Sequence, residues 1–284
     1  MLVGYASLPI DDERLGHPVD TPLDRRAPGR VGANGGERIA VAAEEAARAG
    51  VSPEVLFASP ATGVLVTAFL DGAQTMSPAL FKSRAGAPRR AGEAFRKLHT
   101  SSARFNNRFE LFSMIDEYLK LLATKTVDLP AGYHDVLREA ETVRTALNAH
   151  PLSIAACHCD PLCENFLDAG DRMWIVDWEY SGMNDPMWDL GDLSVEGGLD
   201  AAQDEELLAG YFGAAPRPDE RGRMVIYKAM CDLLWTLWGL IQHANNNPAD
   251  DFWAYANNRF ARCRALMATP DFSRHVAAVA AGPR

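Results

Sequence analysis

Residues 158–192 read HCDPLCENFLDAGDRMWIVDWEYSGMNDPMWDLGD, and this stretch decides the fold. His158, Asp160 and Asn165 stand in it at the spacing H-x-D-x-x-x-x-N. An apolar run from Met173 to Val176 follows and ends on Asp177. Upstream, Leu152 to Ala156 reads as a strand leading into the His158 turn. The order is therefore strand, polar loop, short strand, turn, and a last strand closed by an acid. Polar residues in a turn between strands usually serve only the turn, and three fixed positions recur by chance. The ordered set carries far more information than its parts.

That spacing is the one found in kinase catalytic loops. HCDPLCEN followed by IVDWEYSGMNDPMWDLGD resembles the choline/ethanolamine kinase family, within the wider group of aminoglycoside-phosphotransferase-like proteins. LLWTLWGLIQ at 233–242 and FWAYANNRF at 252–260 extend the resemblance, which spans residues 50 to 267. It implies an α+β, protein-kinase-like fold of two lobes, with residues 1–71 on the nucleotide side and 72–284 forming a mainly helical lobe. It also implies phosphorylation of the hydroxyl of a small amino alcohol, choline first, using ATP and Mg²⁺. Ethanolamine or an aminoglycoside-like alcohol is the alternative acceptor. A pseudokinase or binding module is the alternative class.

The resemblance assigns roles residue by residue. Asp160 orients the alcohol and accepts its proton, and His158 braces the loop. Asn165 and Asp177 hold the metal, since Mg²⁺ prefers hard oxygen ligands. Asp177-Trp178-Glu179 stands where protein kinases carry D-F-G, with Glu179 orienting metal or loop. Asp189 is expected in a buried hydrogen-bonding role and Glu196 in the acidic wall of the substrate pocket. Trp235 and Trp238, three apart on one helix face, and Tyr255 on the following helix form an aromatic cage for a quaternary ammonium. Arg26, ahead of Pro28-Gly29, faintly resembles the family's phosphate-facing basic residue, with Glu44, or else Glu37 or Glu45, expected as its partner. The family's glycine-containing hairpin over the phosphates has no clear counterpart in residues 1–25. The Gly-rich run 32–36 does not follow a strand.

Composition narrows the field independently. Of 284 residues, 48% are hydrophobic and 23% charged, which suits an ordinary globular chain with ample core. A net charge of -10 argues against nucleic acid or an anionic membrane as partner, but is compatible with a cationic small molecule. The longest apolar run, Leu233 to Ile241, is too short to cross a bilayer, and no signal-like start is seen, so a cytoplasmic protein without membrane insertion is expected. The five cysteines, 157, 159, 163, 231 and 263, are odd in number and match no zinc spacing, so free apolar thiols are expected.

The remainder reads in order. Residues 37–49 form an Ala- and Glu-rich helix stopped by Gly50, and 55–58 and 63–70 two strands around Ser59–Thr62. Helical periodicity marks 87–100, 109–124, 132–149, 201–213, 219–245 and 250–267.

Overall fold

The structure, a computed structural model, describes residues 35–283. In chain order these form α1 (Gly35–Arg48), β1 (Val55–Ser59), β2 (Val64–Thr67), β3 (Gln74–Thr75), α2 (Pro78–Ser83), α3 (Ala87–His99), α4 (Leu111–Leu122) and α5 (Tyr133–Ala149). Then follow β4 (Ala155–Cys157), a 3-10 turn (Cys163–Asn165), β5 (Phe166–Asp168), β6 (Met173–Ile175), β7 (Gly182–Asn184), α6 (Met187–Gly197), α7 (Ala201–Phe212), α8 (Pro218–Ala244), α9 (Phe252–Met267) and α10 (Pro270–Ala281). The class is α+β, as the sequence indicates: long helices with three small antiparallel ladders, β1-β2, β3-β5-β6 and β4-β7.

Contacts gather the described residues into two compact units. One comprises residues up to Phe109 together with Ser153–Pro216; the other comprises Glu110–Leu152 and the chain from Arg217 on. In the first unit, Phe81, Phe95 and Phe166 are fully buried and meet edge to face at 5.5 and 5.6 Å. Asp168, buried at the end of β5, takes Arg90 bidentately at 2.9 and 2.6 Å, and so ties α3 to this ladder. Helices α3 and α7 touch backbone to backbone. A Cβ on Gly92 would lie 2.1 Å from the Leu207 carbonyl oxygen, and one on Gly210 would lie 2.1 Å from that of Arg89. Only glycine at both positions permits this approach.

In the second unit, α8 is packed by α4, α9 and α10. It is long and apolar enough to cross a membrane by length and composition, although the apolar run alone is not. With 89% of its most apolar window buried and Asp232 inside that window, it is the core helix of this unit. Asp232 is held there by Arg259 at 3.3 Å and by Arg262.

Two strand expectations shift, and the strand expected over 63–70 is β2, Val64–Thr67. The strand expected over Leu152–Ala156 is Ala155–Cys157, with Leu152 and Ile154 exposed, because its ladder partner β7 is three residues long. Helices α2, α6 and α10 and strands β3 and β7 were not legible. In α6, Met187 to Ser194 is buried without interruption, so no polar face reveals its period.

Candidate functional site

The His158 loop is fixed by the two strands that flank it. β4 pairs with β7 in the register Cys157↔Gly182, so His158 is the first residue beyond the ladder. Gly182 keeps this approach close: a Cβ would sit 3.2 Å from the Phe109 nitrogen, tighter than an ordinary contact. His158 is fully buried, and its Nε2 donates to the Val176 carbonyl at 2.9 Å. A carbonyl only accepts, so this contact sets the Nε2–H tautomer. The Val176 amide in turn donates to the Asn165 carbonyl at 2.9 Å. The Asn165 side-chain amide donates to the Asp160 backbone oxygen at 3.1 Å. His158, Asp160, Asn165 and the residue preceding Asp177 thus form one hydrogen-bonded assembly.

Two residues adjoining it have backbone conformations that side chains seldom adopt. Cys159 has φ 69° and Asp177 has φ 67°. Such strain concentrates at working sites, held by surroundings that over-determine it. Here the Cys159 amide donates to Asp189 at 2.8 Å, and its carbonyl accepts the Trp188 indole N–H at 3.1 Å. Trp178 packs against the His158 ring at 4.9 Å and donates to Ser52 at 3.2 Å, anchoring the turn after Asp177. Asp160 is half-buried, Asn165 buried, Asp177 exposed and Glu179 half-buried.

Asp189, on the first turn of α6, is fully buried and holds the loop from below. Its Oδ2 accepts the His158 amide at 2.7 Å, its Oδ1 accepts the Cys159 amide, and His99 Nε2 lies 3.0 Å from Oδ2. Asp189→Ala is expected to cost about 3 kcal/mol of stability or more, because two buried backbone donors lose their acceptor. Chemical denaturation reads this directly, and a midpoint equal to wild type would mean that the carboxylate is dispensable.

His99, Cys157 and Asp189 also lie within 4.8 Å of one another, a spacing a metal could use. Asp189 already spends its oxygens on two amides and His99. Burial pushes the Cys157 thiol well up, and Asp189 adds to this, so it stays protonated rather than offering a thiolate. The same burial raises Cys159 well above its ordinary range, and burial followed by Glu164 pushes Cys163 up to about 12. All five cysteines are free and buried, as expected from their spacing.

The other sequence candidates fall elsewhere. Glu196 is half-buried on α6, about two turns beyond Asp189. Glu44 is exposed on α1, in an open groove with Ser52, Glu54 and Trp174, while Glu45 pairs with Arg48. Arg26 lies outside the described residues, as does most of the glycine run 32–36. Of that run, Gly36 lies in the first turn of α1, where a Cβ would come 2.4 Å from the Pro60 oxygen. Within the second unit, Trp235, Trp238 and Tyr255 do come together. Trp238 meets Trp235 at 6.2 Å, Phe252 at 5.5 Å and Tyr255 at 5.8 Å, all edge to face, and the Arg259 guanidinium stacks on Tyr255 at 4.8 Å. Both tryptophans are buried. His99 and Tyr211 were missed in the sequence, where a single histidine ending a helix carries no motif signal.

Residues 37–224 match the family model described as the phosphotransferase enzyme family. The chain is similar to a crystal structure of a choline/ethanolamine kinase family protein from Mesorhizobium loti. The two are 74% identical, with a TM-score of 0.85 over 87% of this chain and 84% of that one. It is also similar to LicA in complex with AMP, at 25% identity and a TM-score of 0.66, over 82% of this chain and 78% of that one. Protein LicA of Haemophilus influenzae is 26% identical over 73% of this chain and 80% of its own length.

Proposed function

The chain belongs to the phosphotransferase enzyme family and, within it, to the choline/ethanolamine kinase family, and on that premise we propose that it transfers the γ-phosphoryl group of ATP to the hydroxyl of choline. The observation that carries this reading is the hydrogen-bonded assembly of His158, Asp160 and Asn165 with the strand end before Asp177. Phosphoryl transfer needs positioning and charge stabilisation more than covalent chemistry, and a braced loop of short polar side chains supplies the first.

In the proposed reaction, the alcohol oxygen bonds to the γ-phosphorus as the bridging bond to the β-phosphate breaks and ADP leaves. Asp160 orients the hydroxyl and takes its proton. His158 keeps the loop in place through Val176 and does not react. The donor set fits Mg²⁺: Asn165 spends its amide nitrogen on Asp160, which leaves its side-chain oxygen available, and Asp177 is an exposed carboxylate. Mg²⁺ held by these two would neutralise charge on the phosphates. Similarity to a LicA bound to AMP supports a nucleotide site, with Arg26 and Glu44 retained as the proposed phosphate-facing pair and residues 71–72 as the lobe border. Glu179 is proposed to steady this metal side and Glu196 to add negative potential for the ammonium.

Choline is proposed over ethanolamine because indole faces such as those proposed for the cage attract a permanent cation without needing a donor on it. The experiment is ADP release with MgATP against a panel of amino alcohols. Turnover of choline with a higher kcat/KM than ethanolamine supports the reading; equal values sink the aromatic cage, and no release with any alcohol favours a binding module. Trp238→Phe is expected to raise the choline KM about two- to threefold and Trp238→Ala further, with the ATP KM little changed. Since Trp238 is buried, the Phe variant separates cation binding from the packing loss that Ala adds. An unchanged KM in both would leave the cluster as core alone.

A further inference from the structure

We propose that Tyr211, through His99, is a positioning residue for phosphotransfer: its hydroxyl fixes the imidazole that seats Asp189 under the catalytic loop. The proposal rests on the function above and adds a part to it. The connection is continuous. The Tyr211 hydroxyl lies 3.2 Å from His99 Nδ1; His99 Nε2 lies 3.0 Å from Asp189 Oδ2; and Asp189 receives the amides of His158 and Cys159, the two residues before Asp160.

Direction follows from donor chemistry. Asp189 accepts backbone N–H groups at both oxygens, so His99 Nε2 supplies the proton between them. Nδ1 is then the ring atom facing the phenol. Burial holds Tyr211 well above the ordinary tyrosine range, so it remains an O–H group able to donate. Without that partner a buried imidazole could turn about its side-chain bonds, since its stacking on Phe95, 5.5 Å away and nearly parallel at 12°, constrains the ring plane but not which nitrogen points to Asp189.

The fold is built to make this contact. His99 ends α3 and Tyr211 lies in the last turn of α7, and these are the two helices that Gly92 and Gly210 allow to touch. Any side chain at either glycine would separate the backbones and draw the phenol off the imidazole. Asp204, also on α7, bonds Ser194 of α6 at 2.5 Å, which keeps the helix carrying Tyr211 in line with the helix carrying Asp189.

Tyr211→Phe keeps the ring and removes only the hydroxyl. The expected result is a kcat about three- to tenfold lower at unchanged KM for both substrates, with the melting transition retained. His99→Gln, which keeps an amide donor toward Asp189, should retain more activity than His99→Ala. Adding Tyr211→Phe to His99→Gln should cost little more, because the path to Asp189 no longer runs through Nδ1. An unchanged kcat in Tyr211→Phe, or the same loss in both backgrounds, overturns the proposal. A second measurement needs neither variants nor activity. Ring ¹⁵N shifts of His99 in the intact protein should report a protonated Nε2 and a hydrogen-bonded Nδ1, and a non-bonded Nδ1 overturns the proposal. If the wild type transfers no phosphate to any alcohol, the function fails while the ¹⁵N result still stands or falls by itself.

Discussion

Replacing Asp160 with alanine is expected to reduce phosphotransfer about a thousandfold while leaving the folded protein nearly as stable as wild type. A positioned proton acceptor contributes roughly 10²- to 10⁴-fold. Asp160 is proposed also to orient the hydroxyl, so the loss falls within that range rather than at its lower edge. The fold should survive because hydrogen bonds to the backbone carbonyl of Asp160 shape the loop. Its carbonyl accepts the Leu162 amide at 2.9 Å and the Asn165 side chain at 3.1 Å, and alanine keeps both. Steady-state kinetics should show the fall in kcat with the alcohol KM moved far less, and denaturation should show a change of about 1 kcal/mol or less. Near-normal kcat would remove Asp160 from the proposed mechanism. A collapse of stability would instead make its role structural.

The contrast between Asp160 and Asp189 shows what the sequence could disclose. Both acids lie in the quoted stretch, and the strand–loop–strand order places the first in a loop from spacing alone. That the second serves by accepting two amides of the same loop requires α6 to be folded against it, and α6 is buried along so much of its length that its period is hidden. Local periodicity marked α1, α3, α4, α5, α7, α8 and α9 within a few residues, because each shows a polar face or a clear cap. The Asp200 carboxylate, for example, accepts the Gln203 amide at 2.9 Å, and the Asp200 amide donates in return to Gln203 Oε1 at 3.1 Å. The His99–Tyr211 contact was illegible for another reason. It joins residues 112 apart in the chain, and what brings them together is a pair of glycines in two different helices, each of which alone reads only as a weak point in a helix. The tryptophans of α8 were visible as a pair, but the ring edges that enclose Trp238 come partly from α9.

Asp177→Asn should weaken the dependence on Mg²⁺ far more than it weakens binding of the alcohol. The choice of asparagine follows from the backbone. At φ 67° most residues are strained, whereas asparagine tolerates the left-handed region nearly as well as any side chain after glycine. Alanine would therefore mix strain with loss of a ligand; asparagine removes the charge and leaves the shape. The neighbouring anchors also remain, since Val176 is held by His158 and Asn165 and Trp178 by Ser52 through groups the substitution does not touch. Loss of even an indirect partner costs metal sites roughly 10- to 100-fold in affinity. A carboxylate proposed to bind the cation itself should cost at least that, so the Mg²⁺ concentration giving half-maximal rate should rise about tenfold or more, while the alcohol KM at saturating Mg²⁺ stays within about twofold. Thermal stabilisation by MgATP should shrink in parallel, because it measures nucleotide binding without any chemistry. If the Mg²⁺ titration of the variant overlays that of the wild type, Asp177 only closes its strand, and the metal must be assigned to other oxygens.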